Sequence, residues 1–398
     1  MRERPVHLGD AFFTDPHALY RELRDRGGVH PVVSEHNLTG WMVTGYGPAR
    51  EALADPRLSK SAERVNALLA RQGDREPQVG GRLTSNMLVA DPPDHTRLRR
   101  LVNKAFTVRA VEAMRPRLEE VTARLLDELS GDAETDLVAA FAEPLPITVI
   151  CELLGVPFSD RSGFREWTAT LLSTAPQADR AHAARSMADY LTALVQDKRA
   201  HPAEDMLSAL VRARDEDDRL SEPELTSMAF LLLVAGHETT VNLIANGTLA
   251  LLRAPDQFEL LRATPSLIPS AVEEFLRYDG PVNLATLRYT AEPVTIEGVE
   301  IPPDTFVHVA LPAANRDPAR FPDPDRLDVT RDAGGHLAFG HGIHFCVGAR
   351  LARLEAEIAF RHLLDRFPGL RLARPDEELS WRPSFRIRSL DALPLRLK

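Results

Sequence analysis

From Ser221 to about Leu252 the chain reads as one long helix, and whatever fold it adopts must be built around that element. Leu225, Met228, Ala229 and Leu232 set the helical stripe. Ser221 and Glu224 fit the S-x-x-E capping box, with Pro223 in the first turn. At 1.5 Å per residue, roughly thirty residues span about 45 Å, enough to cross a whole molecule. Its middle, A-G-H-E-T-T from Ala235 to Thr240, breaks the rules for a buried helix. Glycine costs about 1 kcal/mol there relative to alanine, paired threonines add more, and a buried glutamate is expensive unless paired. Local rules broken in one place point to function. A zinc-protease H-E-x-x-H would need histidine at 241, where the chain has Val241. A threonine bonding back to its own helix carbonyl is the purely structural reading.

A second stretch, H-L-A-F-G-H-G-I-H-F-C-V-G from His336 to Gly348, holds one of only two cysteines, Cys346. Gly340, Gly342 and Gly348 allow tight or left-handed backbone and close approach of another group. Ala349 to Phe367 then reads as a helix, with Leu351, Leu354 and Ile358 on one face. Cys346 thus sits just ahead of a helix N-terminus, which favours the thiolate, the form that ligates metals. Cys151 is remote, and His341 and His344 leave a zinc set without a fourth ligand. One thiolate in a glycine-lined apolar loop suits a single axial ligand to a haem iron. The competing reading is a buried structural cysteine.

F-G-H-G-I-H-F-C-V-G, from Phe339 to Gly348, resembles the haem-binding signature of the cytochrome P450 family. The central helix carries a segment similar to that family's A-G-x-E/D-T-T/S. The resemblance implies a mainly α fold with a small β-rich lobe, a single haem-thiolate domain over residues 1–398, and haem b (iron protoporphyrin IX) held by Cys346. It implies monooxygenation, with Thr239 hydrogen-bonding beside dioxygen and Glu238 relaying protons. D-P-P-D-H-T-R-L-R-R, from Asp91 to Arg100, reads as a helix capped by Asp91. Its His95 and Arg99 share a face and match the family's grip on a haem propionate. Arg288 and His344 match further propionate partners. F-P-D-P-D-R-L, Phe321 to Leu327, is similar to the family's meander, and implies a buried triad of Glu274, Arg277 and Arg326 behind the cysteine loop.

The remaining chain is read more coarsely. Pro16–Arg26 is an amphipathic helix; Val29–Val33 and Trp41–Thr44 are strands; Gly47–Ala54 is a helix. Ser61–Val89 has a weak pattern and reads as a surface loop; in the family it covers the substrate pocket. Val111–Leu129, Leu137–Leu154, Phe164–Leu172 and Ala181–Arg199 are helices, the second interrupted by Pro144 and Pro146. Short strands fall at Val294–Ile301 and Thr305–Ala310, and Phe385–Leu395 reads as a last hairpin. The resemblance places Met87, Leu88, Val234, Ala235, Leu284, Ala285, Phe385 and Ile387 around the substrate, though core packing serves Phe385 and Ile387 equally well.

The formal net charge of -10 argues against a general nucleic-acid binder. Two cysteines make no disulfide framework and suit a reducing cytosol. Met1–Asp10 is polar, without a signal or anchor stretch, so a cytoplasmic protein without a membrane is expected. No G-x-G-x-x-G follows a strand. Electrons are therefore expected from a separate ferredoxin and its reductase, docking on a basic patch that includes Arg100, Lys104, Arg350 and Arg353. The substrate class implied is an apolar macrolide or polyketide-type metabolite, as in actinobacterial members of the family. A steroid or terpenoid is the alternative, and a non-catalytic haem-thiolate sensor or scaffold the second.

Overall fold

The computed structural model describes residues 4–34, 38–72, 83–129, 134–172, 176–215 and 218–398. Two compact units form, one from residues 1–76, 122–142 and 239–398, the other from 77–121 and 143–238.

The first unit holds a six-stranded sheet made of β1 (Val6–Leu8), β2 (Val29–Ser34), β3 (Thr39–Val43), β4 (Leu58–Ser59), β5 (Arg288–Thr290) and β6 (Phe306–Val309). Their order is β1-β2-β3-β6-β5-β4. Strand alternation sends Val29, Val43, Val307 and Val309 to one core with Ala49 and Leu53. Val32 and Met42 enter another with Phe12, Tyr20 and Leu23. The polar N-terminus contributes a strand: Val6–Leu8 pairs parallel with β2. Ser61–Val89 is likewise not simply a loop. Ala62–Arg71 is helical because Leu68 and Leu69, with Val65 beside them, pack on Tyr289 and Phe306; residues 73–82 lie outside the described residues. The tail turns back earlier than the sequence suggests, pairing Trp381 with Leu390, while Pro394–Arg396 joins a separate three-stranded sheet.

In the second unit, α1 (Asp94–Ala105) starts three residues after the expected cap. Asp91 contributes its backbone carbonyl to the His95 N–H at 2.9 Å, and the Pro92–Pro93 peptide is cis. The expected helix Leu137–Leu154 divides into a π-turn, Val138–Ala142, and α2 (Pro144–Leu153). Proline 144 has no N–H to continue the ladder.

The central helix is unbroken as α3 (Glu222–Leu252), 31 residues. The Ser221 N–H and hydroxyl both donate to Glu224, at 2.7 and 2.8 Å, which closes the capping box from the glutamate side. Composition alone would let α3 cross a membrane, but 72% of its most apolar window is buried, as in a core helix. Gly236 has a packing reason: a Cβ there would lie 2.9 Å from Ile150 of α2. Gly247 has a stronger one. A Cβ would lie 2.7 Å from Phe360 and 3.1 Å from Phe275. Those rings sit on α5 (Ala349–Arg366) and α4 (Ile268–Asp279), with centroids 4.8 Å apart.

Candidate active site

The cysteine loop is held by its own main chain. Gly340 and Gly342 have φ of 74° and 73°, backbone that L side chains rarely adopt. The Gly342 backbone also sits so close to Leu53 and Ala54 that a Cβ would lie 3.1 Å from each. The Cys346 N–H donates to the Phe339 carbonyl at 2.9 Å, and the Leu337 N–H to the Asn315 side chain at 2.6 Å. α5 starts at Ala349, three residues beyond the thiol. Cys151 is buried and Cys346 is exposed, so the structural-cysteine reading describes the former and not the latter. Beside Cys346 stand Ile343 and Phe345, 51% and 40% exposed.

Behind the loop, Phe339 packs edge-on to Phe345, centroids 6.2 Å apart, and lies under the Arg353 guanidinium at 4.5 Å. Arg353 donates twice to Glu273, at 2.6 and 2.9 Å, and His336 reaches the same carboxylate at 3.2 Å. Burial would raise the Glu273 pKa, but hydrogen bonds and charge from His336 and Arg353 outweigh it and hold it at about 2. Arg353 is therefore engaged with Glu273 and Phe339, with its side chain 33% exposed. Arg100 and Lys104 in one unit, and Arg350 in the other, are exposed.

Glu274 and Arg277 are both 0% exposed and paired through two bonds, 2.6 and 2.8 Å. The third arginine is not the expected one. Arg326 is exposed and offers only its carbonyl, to Arg277 at 3.4 Å. Arg331 bonds Glu274 at 3.2 Å with a side chain 12% exposed. The meander turns sharply between Asp323 and Arg326, whose N–H and carbonyl partners are 3.2 Å apart, and this carries the Arg326 side chain outward. No spacing rule marks Arg331, because long-range register across a meander is not encoded in local periodicity.

On α3 the A-G-H-E-T-T segment has one open face. Ala235 is exposed, Val234, Glu238 and Thr239 are half-buried, and Leu233, His237 and Thr240 are buried. Ala235, Glu238 and Thr239 are three and four apart, hence on the same side. Met87 is buried and Leu88 half-buried on a short turn fastened to α3. Asn86, which sequence reasoning missed, accepts from the Leu88 N–H at 3.0 Å and donates to the Ser227 hydroxyl at 3.0 Å.

The other expected residues are placed as follows. Leu284 is 3% exposed in the cluster with Leu8 and Phe12, against which Phe385 also packs; Phe385 meets the Phe13 ring at 4.9 Å. Ala285 is 8% exposed in the second core, and Ile387 bridges Val282. Leu284, Ala285 and Phe385 thus contribute to packing, while Phe385 and Ile387 both stay half-buried. His95 is buried on α1, with Arg99 half-buried one turn on and donating to Asn103 at 3.2 Å. Arg288 is 3% exposed and bonds the Thr286 carbonyl at 2.7 Å. His344 lies half-buried in the turn Gly342–His344.

Among the described residues no group of three or more His, Cys, Asp or Glu side chains could hold a metal ion. A lone thiolate such as Cys346 suits an iron already held by a porphyrin. The donor set and the apolar flanks fit haem.

The comparisons agree. A family model described as Cytochrome P450 matches residues 266–378. Cytochrome P450 107B1 of Saccharopolyspora erythraea is 51% identical, over 97% of this chain and 96% of its own. The 6-deoxyerythronolide B hydroxylase of the same organism is 48% identical, over 98% and 97%. The solved structure of the tirandamycin C-bound P450 monooxygenase TamI superposes with a TM-score of 0.92 at 50% identity, covering 99% of this chain and 100% of that one. With the exposed thiol, the open face of α3 and these similarities in hand, the chain belongs to the cytochrome P450 family, as a haem-dependent monooxygenase.

Proposed function

We propose that the protein inserts one oxygen atom into a C–H bond of an apolar macrolide or polyketide-type metabolite, in the cytoplasm, with electrons from a ferredoxin. The observation that carries this reading is the exposed Cys346 thiol on its glycine-buttressed loop. Support for the substrate class comes from relatives named for 6-deoxyerythronolide B and solved with tirandamycin C. Bound through the Cys346 thiolate, haem would supply the activation of dioxygen.

The chain's own residues do the rest. Cys346 holds the metal. His95, Arg99, Arg288 and His344 are donors suited to the two propionate carboxylates. Thr239 keeps a hydroxyl on the open face of α3, and Glu238, next in sequence, holds and passes protons to that side. Met87, Leu88, Val234 and Ala235 supply apolar surface that excludes water from the reacting carbon. Arg100, Lys104 and Arg350 steer an acidic electron donor.

Titrating the ferric protein with macrolide and polyketide compounds should produce a low-to-high-spin shift for at least one of them. A panel in which only steroids or terpenoids shift the spectrum would overturn the substrate class. Changing Thr239 to alanine should lower product per electron consumed and raise peroxide release; unchanged coupling would remove the relay. Charge reversal at Arg350 or Lys104 should slow reduction by ferredoxin, more at low salt than at high.

A further inference from the structure

The turn that carries Met87 and Leu88 is fastened to α3 through one buried side chain. Asn86 is 6% exposed, and its partner on α3, Ser227, is 0% exposed. A carbonyl only accepts and a backbone N–H only donates, so the orientation of the Asn86 amide is forced. Its Nδ2 donates to the Leu83 carbonyl at 3.1 Å and to the Ser227 hydroxyl at 3.0 Å, and its Oδ1 accepts from the Leu88 N–H at 3.0 Å. One amide thus ties both sides of the turn to the helix. All of these residues belong to the second unit. The tie also falls on the face of α3 that opens further along. Ser227, Leu231, Val234, Ala235 and Glu238 follow one another at helical spacing and form one stripe. The stripe is buried at Ser227, half-buried at Leu231 and Val234, and exposed at Ala235. From Ser227 to Ala235 the helix rises about 12 Å at 1.5 Å per residue. The turn is therefore held where the open face closes.

We infer that the Asn86–Ser227 bond sets how firmly Leu88 walls a bound substrate, which makes Asn86 a specificity-determining positioning residue. Burial leaves the amide no water to turn to when the bond is lost, and an unpaired buried donor is costly. With the bond made, Leu88 is fixed before substrate arrives. Without it, ordering the turn subtracts from binding. Ligands bulky enough to reach Leu88 feel the difference, and ligands confined to the metal do not. Asn86 acts through Leu88, and the inference rests on the substrate-side placement of Leu88 proposed above.

The test uses the ferric holoenzyme and two probes that ligate haem iron through nitrogen: imidazole, and 4-phenylimidazole, which adds a rigid apolar ring. Dissociation constants are read from the red shift of the Soret band. Asn86→Ala and Ser227→Ala should each weaken 4-phenylimidazole about fivefold, the equivalent of one hydrogen bond of about 1 kcal/mol. Imidazole should stay within about twofold of its native constant. The double variant should match Asn86→Ala, because the shared bond is already gone. Gly247→Ala, which loosens the core away from this turn, should leave both constants native. A merely structural Asn86 would move the two probes alike. Parallel shifts, additive losses or unchanged constants would overturn the latch. Should Asn86→Ala fail to fold, Ser227→Ala decides alone, since it keeps the Leu83 and Leu88 bonds. Leu88→Ala separates the two readings. If it leaves 4-phenylimidazole binding as in the native protein, Leu88 does not face the substrate and that placement fails. If it weakens the probe while the Asn86 and Ser227 variants bind normally, only the latch fails.

Discussion

Replacing Arg326 with alanine should cost almost nothing, whereas replacing Arg331 should unsettle the support behind the cysteine loop. Arg277 makes five contacts in a site shut off from water: two with Glu274, and one each with the carbonyls of Asn315, Pro324 and Arg326. Glu274 also accepts from the Asp328 N–H at 2.9 Å and from Arg331 at 3.2 Å. Removing one partner of a buried pair typically costs about 3–5 kcal/mol, because the other charge stays behind. Arg277→Met should lie in that range. Arg331 gives Glu274 one charge-assisted bond and holds the carbonyls of Pro322, Asp323 and Arg326; Arg331→Ala should cost about 2 kcal/mol. Arg326 lends only main chain, which alanine retains, so its cost should stay below about 0.5 kcal/mol. Unfolding entropy of about 2.1 cal/mol/K per residue gives about 0.8 kcal/mol per degree for a chain of 398 residues. Calorimetry should then find Tm lowered by about 5 °C for Arg277→Met, about 2–3 °C for Arg331→Ala and under about 1 °C for Arg326→Ala. The same order should hold for the fraction of ferrous–CO protein that loses the red-shifted Soret band. Equal losses for Arg326→Ala and Arg331→Ala would refute the assignment of the third arginine.

Other consequences are open to similar checks. Glu273 titrates at about 2 instead of its ordinary 4.5, so its contribution is complete above about pH 4.5 and disappears as pH falls toward 2. Glu273→Gln should therefore destabilise by about 3 kcal/mol at neutral pH, with the difference from the native protein shrinking below about pH 4.5; a pH-independent difference would count against the ion pair as its source. Gly247→Ala gains about 1 kcal/mol of helix propensity but drives a methyl into Phe360 and Phe275, an overpacking worth about 1–3 kcal/mol. Net destabilisation is expected, with partial recovery when Phe360 is changed to leucine; a stabilised Gly247→Ala would show that the rings yield freely. Cys346→Ser should abolish the red-shifted ferrous–CO band while Cys151→Ser keeps it.

What could be read from the sequence follows from how local the signal is. Cys346, its glycines and the helix after it are consecutive, so both the turn and the thiol's place before α5 were apparent. The capping box and stripe of α3 gave its start and continuity for the same reason. Misreadings arose where tertiary contacts override a weak local pattern. Ala62–Arg71 is helical because Leu68 and Leu69 find Tyr289 and Phe306, more than two hundred residues away. Val6–Leu8 becomes a strand because β2 offers it an edge. Arg326 and Arg331 look equally suitable in one dimension, and only the turn of the meander decides between them. Gly236 is the instructive case. Its presence in a buried helix suggested function, yet the contact with Ile150 supplies a packing reason of its own. The functional argument for the segment therefore rests on Glu238 and Thr239. They remain half-buried on the side of α3 that also carries exposed Ala235, where a packing requirement alone would have selected apolar side chains.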